Sequence, residues 1–87
     1  MNTFHLGDKV RISWDYFVPE LQGVVGIVSA PPDSVKASTG PWQGYWRESR
    51  TDSDVERIYW VEDLEIPVTE GAVDGAEVSG SDLTRLA

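Results

Sequence analysis

Lys9-Val10-Arg11-Ile12-Ser13-Trp14 alternates, with Val10, Ile12 and Trp14 at one parity and Lys9, Arg11 and Ser13 at the other. Successive side chains of a strand point to opposite faces, so this run reads as a strand with one face in a core and one in water. Gly7-Asp8 before it is a turn start. The next apolar run, Leu21 to Ser29, is β-branched and carries Gly23 and Gly26, where a strand can bulge, bend or let another backbone approach. Between the two, Asp15 to Glu20 breaks the alternation with Tyr16, Phe17 and Pro19, as a loop does. No long window keeps helical three- and four-residue spacing without Gly or Pro, so the chain reads as all-β.

Ala30-Pro31-Pro32-Asp33 stops the second strand because proline has no ladder donor, and Ser34 to Gly40 reads as an exposed, mobile loop. Pro41 to Arg50 reads as a third strand, with Trp42, Gly44, Trp46 and Glu48 on one face and Gln43, Tyr45 and Arg47 on the other. Thr51 to Asp54 is a polar turn. Arg57 to Ile66 then forms a fourth strand, paired as a hairpin with the third. Ile58, Trp60, Leu64 and Ile66 share one parity while Tyr59 and Val61 share the other, which places a bulge or strand end near Glu62-Asp63 and leaves the inward face open. The acidic last twenty residues carry Asp74-Gly75 as a turn, Ala76-Glu77-Val78 as a short strand, a helical turn from Ser79 to Asp82, and Leu83 to Leu86 as the segment that closes the sheet. The expected core strands are about 8–14, 21–29, 41–50, 57–66 and 76–86. The aliphatics expected inside are Val10, Ile12, Leu21, Val25, Ile27, Val61, Leu83 and Leu86.

Eighty-seven residues suffice for one small domain, with a modest core and little help from crosslinks. There is no cysteine and one histidine, His5, which removes disulfides, thiolate nucleophiles and an ordinary structural zinc site. A cytoplasmic location is the simpler reading of that composition. No basic-then-apolar leader and no membrane-length apolar run is present, so the chain is read as soluble and unprocessed. Seven Lys and Arg against fifteen Asp and Glu leave a net charge of −8, which repels phosphate backbones and anionic membranes. Neither nucleic acid nor membrane is expected as a partner.

Leu6-Gly7-Asp8-Lys9-Val10-Arg11-Ile12 followed by Gly23-Val24-Val25-Gly26-Ile27-Val28 resembles the opening of KOW-type domains, of the photosystem I subunit with the Src-homology-3-like fold, and of the barrel of nitrile hydratase beta chains. Ile58-Tyr59-Trp60-Val61-Glu62, with Ala76-Glu77-Val78 and Asp82-Leu83, is similar to the closing half of small bacterial barrels. The resemblance covers nearly the whole chain and implies a five-stranded SH3-like barrel with a short helical turn before the last strand. Barrels of this superfold range from ribosomal contacts to subunit docking, so the fold by itself selects no function. KOW domains touch RNA through basic loops, and the corresponding loops here, 15–20 and 51–56, are acidic. Catalysis in nitrile hydratase belongs to a cysteine-ligated metal on the partner chain, so that resemblance implies docking and transfers no catalytic residue.

Local chemistry is sparse. Asp52, Asp54 and Glu56 imitate the start of a calcium loop, but Arg57 stands where that loop needs glycine, and Asp63 where it has a bidentate glutamate. Glu62, Asp63 and Glu65 offer carboxylates without a cleft to separate their pKa values. Gly23-Val24-Val25-Gly26 lacks the lysine and helix start of a phosphate loop. The chain is read as non-enzymatic, with neither cofactor nor metal.

What stands out is aromatic excess: four Trp, three Tyr and two Phe, all but Phe4 concentrated at 14–17, 42–46 and 59–60. A narrow barrel already supplied with aliphatics leaves some of these rings outside, where they form a recognition strip. Tyr16, Phe17, Trp42, Tyr45, Trp46 and Trp60 are the candidate contact residues, rimmed by Asp52, Asp54, Glu56, Glu62 and Asp63. The strip and its rim suit a basic or proline-rich protein partner, as in subunit docking. The competing expectation is a small acidic inhibitor or immunity-type protein that blocks a basic, nucleic-acid-binding cleft and depends on the carboxylates more than on the rings. Oligomeric state is not legible at this level.

Overall fold

The computed structural model describes residues 3–50, 55–64 and 75–86. Among the described residues six antiparallel strands carry the fold: β1 (Lys9–Ile12), β2 (Val25–Val28), β3 (Trp46–Arg50), β4 (Val55–Glu62), β5 (Gly75–Ser79) and β6 (Leu83–Arg85). One short helix, α1 (Asp33–Thr39), lies between β2 and β3, and 3-10 turns span Pro19–Leu21 and Gly80–Asp82. The sheet runs in the order β3-β4-β2-β1-β6, with β5 also paired to β4.

The all-β expectation holds. The count of five strands does not, because the closing segment 76–86 is two strands, β5 and β6, joined by the 3-10 turn at Gly80–Asp82, and the strand order does not close on itself.

β4 organises the sheet because it is the one strand that pairs with three others. Its N-terminal part pairs with β3 from Trp46↔Tyr59 to Arg50↔Val55, and its C-terminal end pairs with β2 through Ile27↔Glu62 and Val28↔Val61. Its other edge takes β5 from Ile58↔Ser79 to Glu62↔Gly75. Tyr59, Trp60 and Val61 are accordingly buried in succession. The strand stops where Asp63 adopts φ 53°, the strand end expected near Glu62-Asp63.

The core consists of Phe4, Val10, Ile12, Tyr16, Val28, Tyr59, Val61, Val78 and Leu83. Burying an aliphatic or Phe side chain of this kind stabilises by roughly 1.5–3 kcal/mol. Tyr59 sits at its centre. Its hydroxyl accepts a hydrogen bond from the Phe4 amide at 3.3 Å, and the Phe4 ring meets its ring edge-on, with centroids 5.3 Å apart. A buried phenol without a partner would forfeit roughly 1–3 kcal/mol, so this contact lets an aromatic with a polar tip occupy the middle of a small core.

Several expectations are corrected. The third strand starts at Trp46 and not at Pro41, and the fourth runs from Val55 to Glu62 and not from 57 to 66. β1 ends at Ile12, because Ser13 to Tyr16 turns back on itself with the Tyr16 amide donating to the Ser13 carbonyl at 3.2 Å, so Trp14 leaves the face it would share with Val10 and Ile12. In β2 the inward parity is Gly26 and Val28, while Val25 and Ile27 are half-buried. Ser34 to Gly40 is mostly the helix α1. The Val35 and Lys36 amides donate to the Pro32 carbonyl at 3.0 and 3.1 Å, and Trp42 Nε1 holds Thr39 Oγ1 at 2.8 Å near the far end. Pro32 immediately before this helix and Gly40 immediately after it are the sequence signals that mark its limits.

Gly26 is where β2 passes closest to β4. A Cβ there would lie 2.5 Å from Val61 Cγ1, 2.8 Å from the Glu62 carbonyl oxygen and 2.8 Å from Leu64 Cδ2. The carbonyl belongs to the ladder and cannot swing aside. Gly26→Ala is expected to cost about 1–3 kcal/mol by overpacking, read as a lower urea midpoint at unchanged m-value.

Candidate functional site

The β1–β2 loop is closed at its base by backbone bonds. The Ile12 amide donates to Val24 O at 2.8 Å, and the Gly23 amide returns to Ile12 O at 3.0 Å. The Ser13 amide donates to Asp82 O at 2.8 Å, fastening the loop to the second 3-10 turn. Within it Tyr16 points inward and is 5% exposed, its hydroxyl donating to Glu77 O at 3.3 Å. Gln22 Nε2 caps the Tyr16 carbonyl at 2.8 Å. With Tyr16 as its inner anchor, the loop throws its other two rings outward, Trp14 at 71% exposure and Phe17 at 81%.

These two rings are not free-swinging. Phe17 leans on Tyr16 with centroids 4.6 Å apart. Trp14 lies across Gly23, which has φ +71°; a Cβ there would fall 2.2 to 2.6 Å from three carbons of the indole. Glycine at 23 therefore serves both a left-handed turn and a seat for the ring. Arg11 approaches the same indole at 5.7 Å. Asp15 and Glu20, both exposed, flank the rings, and Ser13 Oγ donates to the Asp15 carboxylate.

The six aromatic positions expected to form one strip are thus divided. Phe17 is exposed, whereas Tyr16 and Trp60 are buried, Trp60 at 6% with its Nε1 donating to Glu62 Oε1 at 2.8 Å. Trp42, Tyr45 and Trp46 are half-buried. Tyr45 stacks on Tyr59 at 6.2 Å, and Tyr45 and Trp46 both pack against the core. Arginines of the chain itself stand over the two indoles, Arg57 at 4.1 Å from Trp46 and Arg47 at 5.8 Å from Trp42. Arg47 also binds Glu77 at 2.7 Å, tying β3 to β5 across β4. The cation-accepting faces of Trp42 and Trp46 are therefore supplied internally. Trp14 and Leu6, the latter 56% exposed, are surface hydrophobics that the alternation did not select. The signal available for Trp14 was its position between Ser13 and Asp15, a polar pair that starts a turn.

Of the acidic rim, Asp52 and Asp54 lie outside the described residues. Asp63 is exposed, and the Glu62 carboxylate is engaged by Trp60. Glu56 accepts from Ser79 Oγ at 3.1 Å and from Ser81 Oγ at 3.2 Å. It lines an open cleft of about 470 Å³ together with Glu48, Val55, Arg57, Ser79, Gly80 and Ser81. Of the described rim residues, Glu62 and Glu56 are thus engaged within the chain, and Asp63 is exposed. Among the described residues no group of three or more His, Cys, Asp or Glu side chains converges as metal ligands, and no helix is long and apolar enough to cross a membrane.

Charge accumulates beneath the β1–β2 loop. Burial first, then Asp15 and Glu56, raise the pKa of Asp82 above its ordinary value. Burial first, then Asp82 and Glu77, raise that of Tyr16. Comparison of the chain with protein-family models, with curated proteins and with solved structures finds no match.

The Asp82 shift has a definite sign. The folded chain holds this proton to higher pH than the unfolded chain, so stability falls as pH rises from the ordinary carboxyl value through the raised one. Asp82→Asn removes that cost while keeping the backbone carbonyl that Ser13 uses. The variant is expected to melt above the parent at pH 7 and to lose that advantage at pH 3, as measured by thermal denaturation at both values.

Proposed function

We propose that this chain is a non-catalytic docking module that binds a basic, proline-rich protein segment through the β1–β2 loop, with Trp14 and Phe17 as the contact rings. The observation that carries the reading is the pair of large rings exposed at 71% and 81% on a loop whose inner side is anchored by Tyr16, Gly23 and Asp82. Rings held in place lose little entropy on contact, which is what makes aromatic side chains effective at interfaces. Asp15 and Glu20 beside them, on a chain of net charge −8, favour a cationic ligand.

The reading includes an SH3-like barrel. Its support is the strand path β6-β1-β2-β4-β5, together with a 3-10 turn between the last two strands, β3 being an addition beside β4. In barrels of that type the long loop after the first strand borders the peptide groove. The non-catalytic part rests on the absence of cysteine and on the single His5. A cytoplasmic location goes with the same composition.

The test is an array of proline-rich peptides bearing Arg or Lys, with acid-substituted counterparts, read by tryptophan fluorescence. Basic peptides are expected to bind, and Trp14→Ala/Phe17→Ala to weaken binding at least about tenfold while changing stability by no more than about 0.5 kcal/mol each. Retention of full affinity by the double variant overturns the reading. Binding that is indifferent to both rings and collapses with salt would favour the acidic inhibitor instead.

A further inference from the structure

β3 is the outermost strand on its side of β4, and among the described residues nothing pairs with its other edge. Which backbone groups face outward follows from the ladder. The Trp60 amide donates to Tyr45 O at 3.2 Å, so 45, 47 and 49 bond to β4 while 46, 48 and 50 turn their N–H and C=O groups away from it. The Trp46 carbonyl is already taken by the Gln43 amide at 2.7 Å. Glu48 and Arg50 remain, with outward donors and acceptors and side chains 43% and 79% exposed, held to each other only by a long, solvent-exposed ion pair at 3.9 Å that a cross-strand partner can exchange. An exposed row of this kind is a template for another strand.

We propose that this edge pairs with the same edge of a second copy of the chain, antiparallel about a twofold axis through Ser49, with Glu48 of each copy opposite Arg50 of the other. Charge selects that register. Outward residues must face outward residues, which leaves few alignments. Setting Glu48 against Glu48, or Arg50 against Arg50, puts like charges directly opposite, and both alignments are disfavoured. The alignment centred on Ser49 puts opposite charges together twice and forms two hydrogen-bonded pairs. The two signs, two residues apart on one face, make a short edge self-complementary, whereas charges of one sign would only protect it. So short a ladder buries little area, and the association is a weak, concentration-dependent one.

Sedimentation velocity on the full chain, carried into the millimolar range, tests this. The parent is expected to shift from monomer to dimer. Arg50→Glu and Glu48→Lys are each expected to weaken the dimer roughly tenfold, because the twofold applies every exchange twice. An equimolar mixture of the two variants restores opposite charges at both pairs and is expected to recover the dimer. Circular dichroism verifies that each variant is folded.

Ser49→Cys gives a second readout in a chain with no other cysteine. Non-hydrogen-bonded antiparallel partners lie about 4.5 Å apart at Cα, within the span of about 4.4–6.8 Å that a disulfide needs. That variant is expected to form a covalent dimer on mild oxidation well before Lys36→Cys, whose side chain is exposed on α1. A parent that stays monomeric throughout, or a mixture that associates no better than its components, overturns the proposal. Both readouts are independent of Trp14 and Phe17, so the outcome leaves the peptide-binding reading to its own test.

Discussion

The structure depends on burying β4 from both edges. A strand flanked on one side by β3 and β2 and on the other by β5 has its backbone groups committed along most of its length. This is why three consecutive large residues, Tyr59, Trp60 and Val61, can all be buried. The two faces of the strand serve different purposes. Tyr59 fills the core and hands its hydroxyl to Phe4, while Trp60 shelters against Gly75, where a Cβ would stand 2.6 Å from the indole, and gives its N–H to Glu62. A single buried hydroxyl at the centre of a small core also joins segments far apart in the chain. Phe4 is thereby part of the fold.

Arginines and aromatic rings divide the surface between them. Four of the seven basic side chains, Arg11, Arg47, Arg57 and Arg85, stand over rings of the chain itself. Such contacts stabilise modestly where solvent reaches them, and more where the cation is also paired, as Arg47 is with Glu77. Their larger consequence is for recognition. Rings already carrying an internal cation have less to offer an external one. The large rings left most exposed are Phe17 and, although Arg11 stands 5.7 Å from its centroid, Trp14, both of the β1–β2 loop on a chain of net charge −8.

That loop shows how a compact sheet holds rings at its surface. Tyr16 is buried, Gly23 receives the underside of Trp14, and the Asp82 carbonyl accepts the Ser13 amide. The same fastening half-buries Asp82 and buries Tyr16 beside Asp15, Glu56 and Glu77, and burial first and nearby charges second raise the proton affinities of both. Its electrostatic cost is therefore built into the anchoring of the loop.

Much of the architecture was legible in the residues. Alternation in 9–12, the hairpin of the third and fourth strands, the strand end at Glu62-Asp63 and the turn before Leu83 all follow from local periodicity and turn chemistry, which act within a few residues of one another. Three features were not legible. Seven residues with only Val35 and Ala37 apolar give no helical period, so α1 showed itself only through its bounding Pro32 and Gly40. The inward parity of β2 is set by how closely Gly26 must approach β4. Which aromatics face solvent is set by strand length and by the arginines that cover Trp42 and Trp46. Periodicity along the chain determined an all-β fold, and composition an acidic charge and more rings than its core needs. Only the tertiary structure decided that Tyr16 and Trp60 are core while Trp14 and Phe17 are surface, because burial is a property of what packs across the sheet and not of the side chain's own neighbours in sequence.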